Sequence, residues 1–418
     1  GKGYYENFKE DEDLEDYQIS TIQIGEETLE STDLVNRKWL DNHFYGLTFS
    51  FNYQKRKSDF TLGGGWNTYD GDHYGNVIWA QFLGDAGYNH EWYSNKALKK
   101  DFNLFAKYNY QVAEKLNLFA DVQYRRIDYS IDGIDDDLRN ITQEHEFNFF
   151  NPKLGIFYKP AENQNLYLSF ATANREPNRS AYIDNRLETE PPVYETLYDW
   201  ELGYEFKSSR FSGSVNLYLM NYNDQLVLTG EINDVGNPIM TNVDNSYRRG
   251  IELQTGILIV RNFQWRANAT FSQNKIEDFT EYVDNWDTGE QEVFSLGTTD
   301  IAFSPNVIAN SQLTYEPVES LNFALISSYV GKQFIDNTAS DDRSLDAYFV
   351  NNLKVDYSFP TKLFKEIALH LMVNNLFNEE YESNAWVYSY ILGGERYKMD
   401  GYFPQAGRHF MAGIDFKF

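Results

Sequence analysis

The chain has 418 residues and no cysteine, so neither a disulfide framework nor a thiolate centre is open to it. Its 63 acidic against 36 basic residues leave a formal charge of -27, which argues against nucleic acid as a partner because a polyanion needs a basic surface. No run approaches the ~20 apolar residues of a membrane helix, which leaves a β-barrel open, and 32 Tyr with 31 Phe suit the aromatic girdles of such a barrel.

Residues 1 to 40, with the acidic run from Asp11 to Asp16, read as a loop segment, and the first strand begins near Asn42. From there the two-residue period of a strand returns along nearly the whole chain. Trp200, Leu202, Tyr204 and Phe206 oppose Glu201, Gly203, Glu205 and Lys207, and Phe263, Trp265, Ala267, Ala269 and Phe271 oppose Gln264, Arg266, Asn268, Thr270 and Ser272. Leu353, Val355, Tyr357 and Phe359 stand against Lys354, Asp356 and Ser358, and Ile367, Leu369, Leu371 and Val373 against Ala368, His370, Met372 and Asn374. The last strand sets Phe410, Ala412, Ile414, Phe416 and Phe418 against His409, Met411, Gly413, Asp415 and Lys417. Two-faced strands alone suit a soluble β-sandwich as well as a membrane barrel.

The connections separate the two, because they alternate between short and long. Tight turns sit at Lys55 to Ser58, Ala113 to Lys115, Pro160 to Gln164, Ser208 to Arg210, Val260 to Asn262, Pro317 to Ser320 and Pro360 to Glu366. Long polar excursions lie between them, at Asp70 to Lys99, Ile131 to Glu144, Pro177 to Val193, Thr229 to Asn242, Ile276 to Phe303, Ile335 to Asp346 and Glu379 to Tyr402. Short turns on one rim and long loops on the other are the pattern of an outer-membrane barrel with periplasmic turns and extracellular loops. The fold expected is therefore all-β, a transmembrane antiparallel β-barrel.

Pairing the segments around each short turn gives seven hairpins and a final strand, about fifteen strands in all. An odd count, with the last strand ending on the periplasmic side, puts the start of the first strand outside the cell. The expectation is then that residues 1–40 are an extracellular loop segment and 41–418 the C-terminal part of a larger barrel, since an open edge cannot face lipid.

Several stretches resemble those of TonB-dependent outer-membrane receptors. Asn151-Pro152-Lys153-Leu154-Gly155 leads to Tyr158-Lys159-Pro160 and Leu166-Tyr167-Leu168-Ser169-Phe170, and Asn174-Arg175-Glu176-Pro177-Asn178-Arg179 enters a loop. Trp200-Glu201-Leu202-Gly203-Tyr204, Arg249-Gly250-Ile251-Glu252-Leu253 and Gly331-Lys332-Gln333-Phe334-Ile335-Asp336-Asn337-Thr338 follow. Asn374-Asn375-Leu376-Phe377-Asn378 with Tyr381, then Tyr402-Phe403-Pro404-Gln405-Ala406-Gly407-Arg408 and a terminal Phe, is similar to that family's closing strands. The resemblance implies a barrel of ~22 strands filled by a plug, of which this chain supplies the last part without the plug or its TonB-contacting box. It implies TonB-energised uptake of a scarce nutrient, most often a ferric siderophore, across the outer membrane of a Gram-negative cell, with lipid and the TonB complex as partners. A passive porin-like barrel and a soluble β-sandwich are the alternatives.

Ligand capture falls to long loops that carry aromatic and polar groups. The first holds His73, Tyr74, Trp79, Phe82, Tyr88, His90, Trp92 and Tyr93, rings that either contact a large ligand or pack the loop and the girdle. The second holds Arg175, Arg179 and Arg186, which either clamp an anionic ligand or pair with Asp184, Glu188 or Glu190. The third holds Trp386, Tyr388, Tyr390, Arg396 and Tyr397. His73 and His90 could ligate haem iron, but the motif that accompanies such a ligand in haem receptors is missing. His370 and His409 read as hydrogen-bonded lumen residues, and acidic runs such as Asp135 to Asp137 as solvated surface or a calcium site. No catalytic constellation, resident metal site or cofactor motif stands out.

Overall fold

The computed structural model describes residues 1–183, 191–232 and 238–418, and the chain packs as two units, residues 1–109 with 121–151 and residues 110–120 with 152–418. Strands follow one another in both. The first part of the chain carries β1 (Lys2–Asp13), β2 (Ile22–Ile24), β3 (Glu27–Leu29), β4 (Ser31–Lys55), β5 (Ser58–Ala80), β6 (His90–Ala113), β7 (Leu116–Gly133) and β8 (Gln143–Ala161). Then come β9 (Gln164–Arg175), α1 (Arg179–Ile183), β10 (Glu195–Lys207), β11 (Phe211–Ile232), β12 (Pro238–Val260), β13 (Phe263–Asn285), β14 (Glu290–Asp300), β15 (Val307–Val318) and β16 (Leu321–Val330). The last are β17 (Gln333–Phe334), β18 (Ser344–Leu345), β19 (Tyr348–Phe359), β20 (Glu366–Asn374), β21 (Glu382–Leu392), β22 (Glu395–Pro404) and β23 (His409–Lys417).

All seven short turns fall where the sequence puts them, between β4 and β5, β6 and β7, β8 and β9, β10 and β11, β12 and β13, β15 and β16, and β19 and β20. The long connections differ from expectation, because much of each is strand. β5 runs to Ala80 and β13 to Asn285, and the stretch from Glu379 to Tyr402 is largely the antiparallel pair β21–β22. The first long strand likewise begins at Ser31 rather than near Asn42, and β1 pairs with its early part from Lys2↔Asp41 to Asp13↔Ser31. A hydrogen-bonded ladder needs only a neighbouring backbone, so it persists beyond the residues that alternate.

In the second unit the registers align one apolar row across many strands. Ile156 faces Leu168, Leu168 faces Leu202, Leu202 faces Leu217, Leu217 faces Ile251, Ile251 faces Phe271, and Phe271 faces Val307. Residues directly opposite each other share a face of the sheet. Trp200, Leu202, Leu217, Ile251 and Phe271 remain 41–49% exposed, which a sandwich would not allow and a lipid-facing wall requires. The other face is polar: Glu201, Glu205, Asn216, Glu252, Asn268 and Asn310 line it, with Asn216 donating to Glu252 at 3.3 Å and Asn310 to Asn268 at 3.1 Å. On this face Tyr167 lies flat over Gly203, where any Cβ would collide with the ring, and its hydroxyl reaches Asn216 at 3.2 Å. His370 is bracketed by Asp356 at 2.6 Å and Asp415 at 3.1 Å, and His409 meets the Gly407 carbonyl at 2.9 Å, the hydrogen-bonded roles expected of both.

Candidate ligand-binding site

The first aromatic loop is mostly its own core. Trp92 is 2% exposed and packs with Leu14, Tyr17, Ile19, Leu34, Val77 and Tyr93, its ring 5.1 Å from that of Tyr17. The Tyr17 hydroxyl donates to Glu12 at 3.0 Å, and burial pushes its phenol up to about 12. His90 is engaged by the Tyr17 carbonyl at 2.9 Å, and no cluster of metal-ligating side chains among the described residues includes His73 or His90. Strand pairing sorts the rest by face. Tyr74 stacks on Trp39 at 5.9 Å beneath the Lys2 ammonium, and Trp79 on the same face meets Phe8 at 6.5 Å, whereas His73, one residue from Tyr74, points to the opposite face. Asp135, Asp136 and Asp137 come together but are already compensated, Asp135 and Asp137 by Arg139 and Asp136 by Lys38.

Only part of the second loop lies among the described residues. Arg175 closes a two-pronged pair with Glu195, Nε at 2.9 Å and Nη2 at 3.0 Å, and Glu195 also accepts the Leu226 amide. Arg179 opens the short helix α1, and Arg186, Asp184, Glu188 and Glu190 lie outside the described residues.

The third loop lines up with a cavity. β13 and β21 run parallel where Asp284 meets Tyr390, and Trp286 stacks on Tyr390 at 4.0 Å and donates to the Tyr388 hydroxyl at 3.1 Å. Tyr388 in turn donates to Asp284 at 2.7 Å, and Tyr397 stacks on Tyr390 at 5.7 Å. Below these rings a cavity of about 510 Å³ is lined by Asp224, Asp244, Glu277, Asp278, Glu281, Asp284, Asp336, Arg343, Val387 and Ser389, with Ile239, Met240 and Phe279 as apolar wall. Val387 and Ser389 line it while Trp386 and Tyr388 do not, because the stretch read as a loop is strand β21 and its side chains alternate. Arg396 turns to Glu281, which also takes Arg343 at 2.9 Å, and Arg343 reaches Asp336 at 2.7 Å. Asn337, 1% exposed, ties the floor by accepting the Ala302 amide at 2.8 Å and donating to the Leu228 carbonyl at 2.5 Å. The sequence had marked Asp336 and Asn337 only as part of a barrel signature, and the other carboxylates not at all.

One carboxylate holds the hairpin tips together: Asp287 accepts the Gly393 amide at 2.9 Å and the Gly394 amide at 3.0 Å, bonds that hold its pKa below the ordinary carboxylate range. A depressed folded pKa means the tether is complete above the unfolded value near ~4 and is lost as pH falls through the folded one. Asp287→Ala is expected to raise amide exchange at Gly393 and Gly394 at least tenfold at pH 7, and acidification through the depressed folded pKa, below the ordinary carboxylate range, should do the same to the parent protein. Exchange mass spectrometry corrected for intrinsic rate reads both.

Residues 2–376 match the family model described as TonB dependent receptor-like, beta-barrel. No curated protein matches the chain. Among solved structures it is similar to the copper transporter OprC (TM-score 0.69, 15% identity, 92% of this chain and 58% of that one) and to the siderophore receptor PiuA from Acinetobacter baumannii (0.67, 16%, 93% and 57%). The ferric citrate transporter FecA in its unliganded form is similar too (0.64, 16%, 94% and 56%). At these identities the likeness concerns the fold, and the chain spans little more than half the length of each. With apolar rows exposed on one face of its strands, a polar opposite face, and a family match over most of its length, the chain belongs to the TonB-dependent receptor β-barrel family of the outer membrane.

Proposed function

We propose that the chain is the wall and ligand-gathering rim of an outer-membrane receptor for TonB-energised uptake of a scarce small-molecule nutrient, with a ferric siderophore as the substrate class. The observation that carries this is the cavity of about 510 Å³ enclosed by segments from β11–β12, β13–β14, the 331–347 connection and β21, a size suited to a small molecule. Solved structures similar to this chain include siderophore receptors, among them PiuA and BauA, the ferric preacinetobactin receptor. In this reading residues 1–40 stand on the extracellular side and 41–418 form the C-terminal part of the wall, with the plug and TonB contact contributed by sequence outside this stretch. Trp386, Tyr388, Arg175, Arg179 and Arg396, in the same unit as the cavity, are then ligand-gathering residues of that unit, and His73, Tyr74 and Trp79 are ligand-gathering residues of the first unit. Chemistry on the ligand is not required, so no catalytic group is assigned.

Uptake of iron-labelled siderophores by cells carrying the full-length protein, with and without the proton-driven inner-membrane partner, tests the reading. Uptake should vanish without that partner. Uptake that persists unchanged would instead mark a passive porin.

A further inference from the structure

A groove of about 710 Å³ opens on the apolar face of the second unit, framed by Tyr204, Phe206, Phe211, Trp265, Tyr329 and Phe349. Its floor follows from the register. Thr255 faces Ala267, Ala267 faces Ser311 and Ser311 faces Ser327, and in the adjoining row Ala269 faces Ala309. The rows beyond are bulky, with Ile257, Trp265 and Leu313 toward the short turns and Ile251, Phe271 and Val307 toward the long connections. Facing residues stand side by side on one surface of the sheet, so the floor is a trough between two ridges, and its volume falls within the roughly 300–1,000 Å³ of small-molecule sites.

The polar side chains of the groove are already engaged. Trp265 donates from Nε1 to the Ser311 hydroxyl at 2.8 Å, Ser327 donates to the Asn351 side-chain oxygen at 2.6 Å, and Thr255 donates to the Ser212 carbonyl at 3.3 Å. In a membrane such groups must find partners inside the protein, and with these bonds made the groove asks its occupant for dispersion contact alone. A hydrocarbon chain supplies that, whereas a polar nutrient would bring groups that nothing here answers.

Cationic charge stands at one end of the trough. Phe206 and Phe211 flank the turn from Ser208 to Arg210, whose last carbonyl accepts the Leu258 amide at 2.8 Å, close before Arg261 on the next turn. Arg210 and Arg261 are both exposed. Short turns form the periplasmic rim of an outer-membrane barrel, and basic residues at a membrane surface attract anionic lipid headgroups.

We infer that the groove is a phospholipid site on the lipid-facing wall, its acyl chain lying along the trough over Thr255, Ala267, Ala269, Ala309 and Ser311 and its phosphate held by Arg210 and Arg261 at the periplasmic rim. The opposite charges of headgroup and rim select this lipid over the glycolipid of the outer leaflet, whose phosphates lie at the long-loop end. The inference goes beyond uptake and holds whatever the transported ligand is.

Native mass spectrometry of the full-length receptor in detergent tests this with palmitoyl-oleoyl phosphatidylglycerol as the probe. One lipid should stay bound under collisional heating that strips the rest. Ala269→Phe with Ala309→Phe fills the trough with apolar rings on a face that already meets lipid, and Arg210→Gln with Arg261→Gln removes the rim charge. Each pair should lower that occupancy about tenfold. Palmitoyl-oleoyl glycerol, with the same chains and no phosphate, should bind about tenfold more weakly. Heat-modifiable electrophoretic mobility verifies that both variants are folded. Retention that survives either folded double variant, a diglyceride or lipid A held as tightly as the phospholipid, or no retained lipid at all overturns the inference. A receptor dimer that Ala269→Phe with Ala309→Phe takes apart would overturn it too, by giving the groove to a second copy.

Discussion

Trp92→Ala is expected to cost about 3–5 kcal/mol of local stability, the usual penalty for removing a large aromatic ring from a closed core. The ring packs with six other buried residues, among them Leu14, Leu34 and Val77, each at 0% exposure. It also fixes the backbone, since Gln18 donates to the Trp92 carbonyl at 2.8 Å and Gly75 is bare because a Cβ there would collide with the Trp92 and Tyr93 rings. Removing the indole therefore frees the turn at Glu15–Tyr17 and the upper parts of β4, β5 and β6 together. Hydrogen exchange over residues 14–34 and 77–93 should rise by two or more orders of magnitude, with proteolytic cleavage appearing in the same stretch. A ligand-contacting Trp92 would behave differently: exchange would stay as it was and only affinity would fall.

The same residue shows why the aromatic loops were hard to read. Tyr88, at 82% exposure, and Trp92, at 2%, lie four residues apart in one ring-rich stretch, and what separates them is contact with Leu14 and Tyr17, more than seventy residues upstream. Sequence density of rings reports neither. The membrane-spanning part was legible because it has two different solvents on its two faces, so Leu202 and Gly203 or Phe271 and Ser272 must differ in kind. Short turns were legible for a related reason: chain reversal over two or three residues leaves little freedom, as at Arg56, which takes a φ of 50° between β4 and β5.

Beyond the membrane both faces of a strand meet water or another loop, and the alternation fades while the ladder continues. β5 from Asp70 to Ala80 and β13 from Ile276 to Asn285 are strands of this kind, and they read as loops for want of contrast. That error carried over to the site. Trp386 and Tyr388 stand out in the sequence for their rings, but strand β21 sends Val387 and Ser389 to the cavity instead. The carboxylates that do line it were invisible for a statistical reason: in a chain with 63 acidic residues, no single Asp or Glu stands out until its neighbours in space are known.

Arg343→Ala is expected to be the most damaging single change in the second unit, because it strips a cation from between two buried carboxylates. The side chain of Arg343 is 8% exposed, and those of Glu281 and Asp336 are 11% and 6% exposed. Although burial works against its charge, Asp336 and Glu281 hold the guanidinium more firmly protonated than usual. Breaking a buried pair by removing one partner costs about 3–5 kcal/mol, since the remaining charge is left without compensation. Arg396 can still serve Glu281, but Asp336 has no other cationic partner among the described residues, so the 331–347 connection should detach from the floor of the cavity. Arg343→Lys should fall between the two, as an ammonium restores the charge on a shorter side chain that must reach the position of the Nη1 serving both acids. Adding Asp336→Asn to Arg343→Ala should recover part of the loss, because the stranded charge disappears with its partner. Thermal unfolding of the folded receptor orders the four proteins, and an Arg343→Ala protein as stable as its parent would show that the ion-pair cluster does not hold the cavity together.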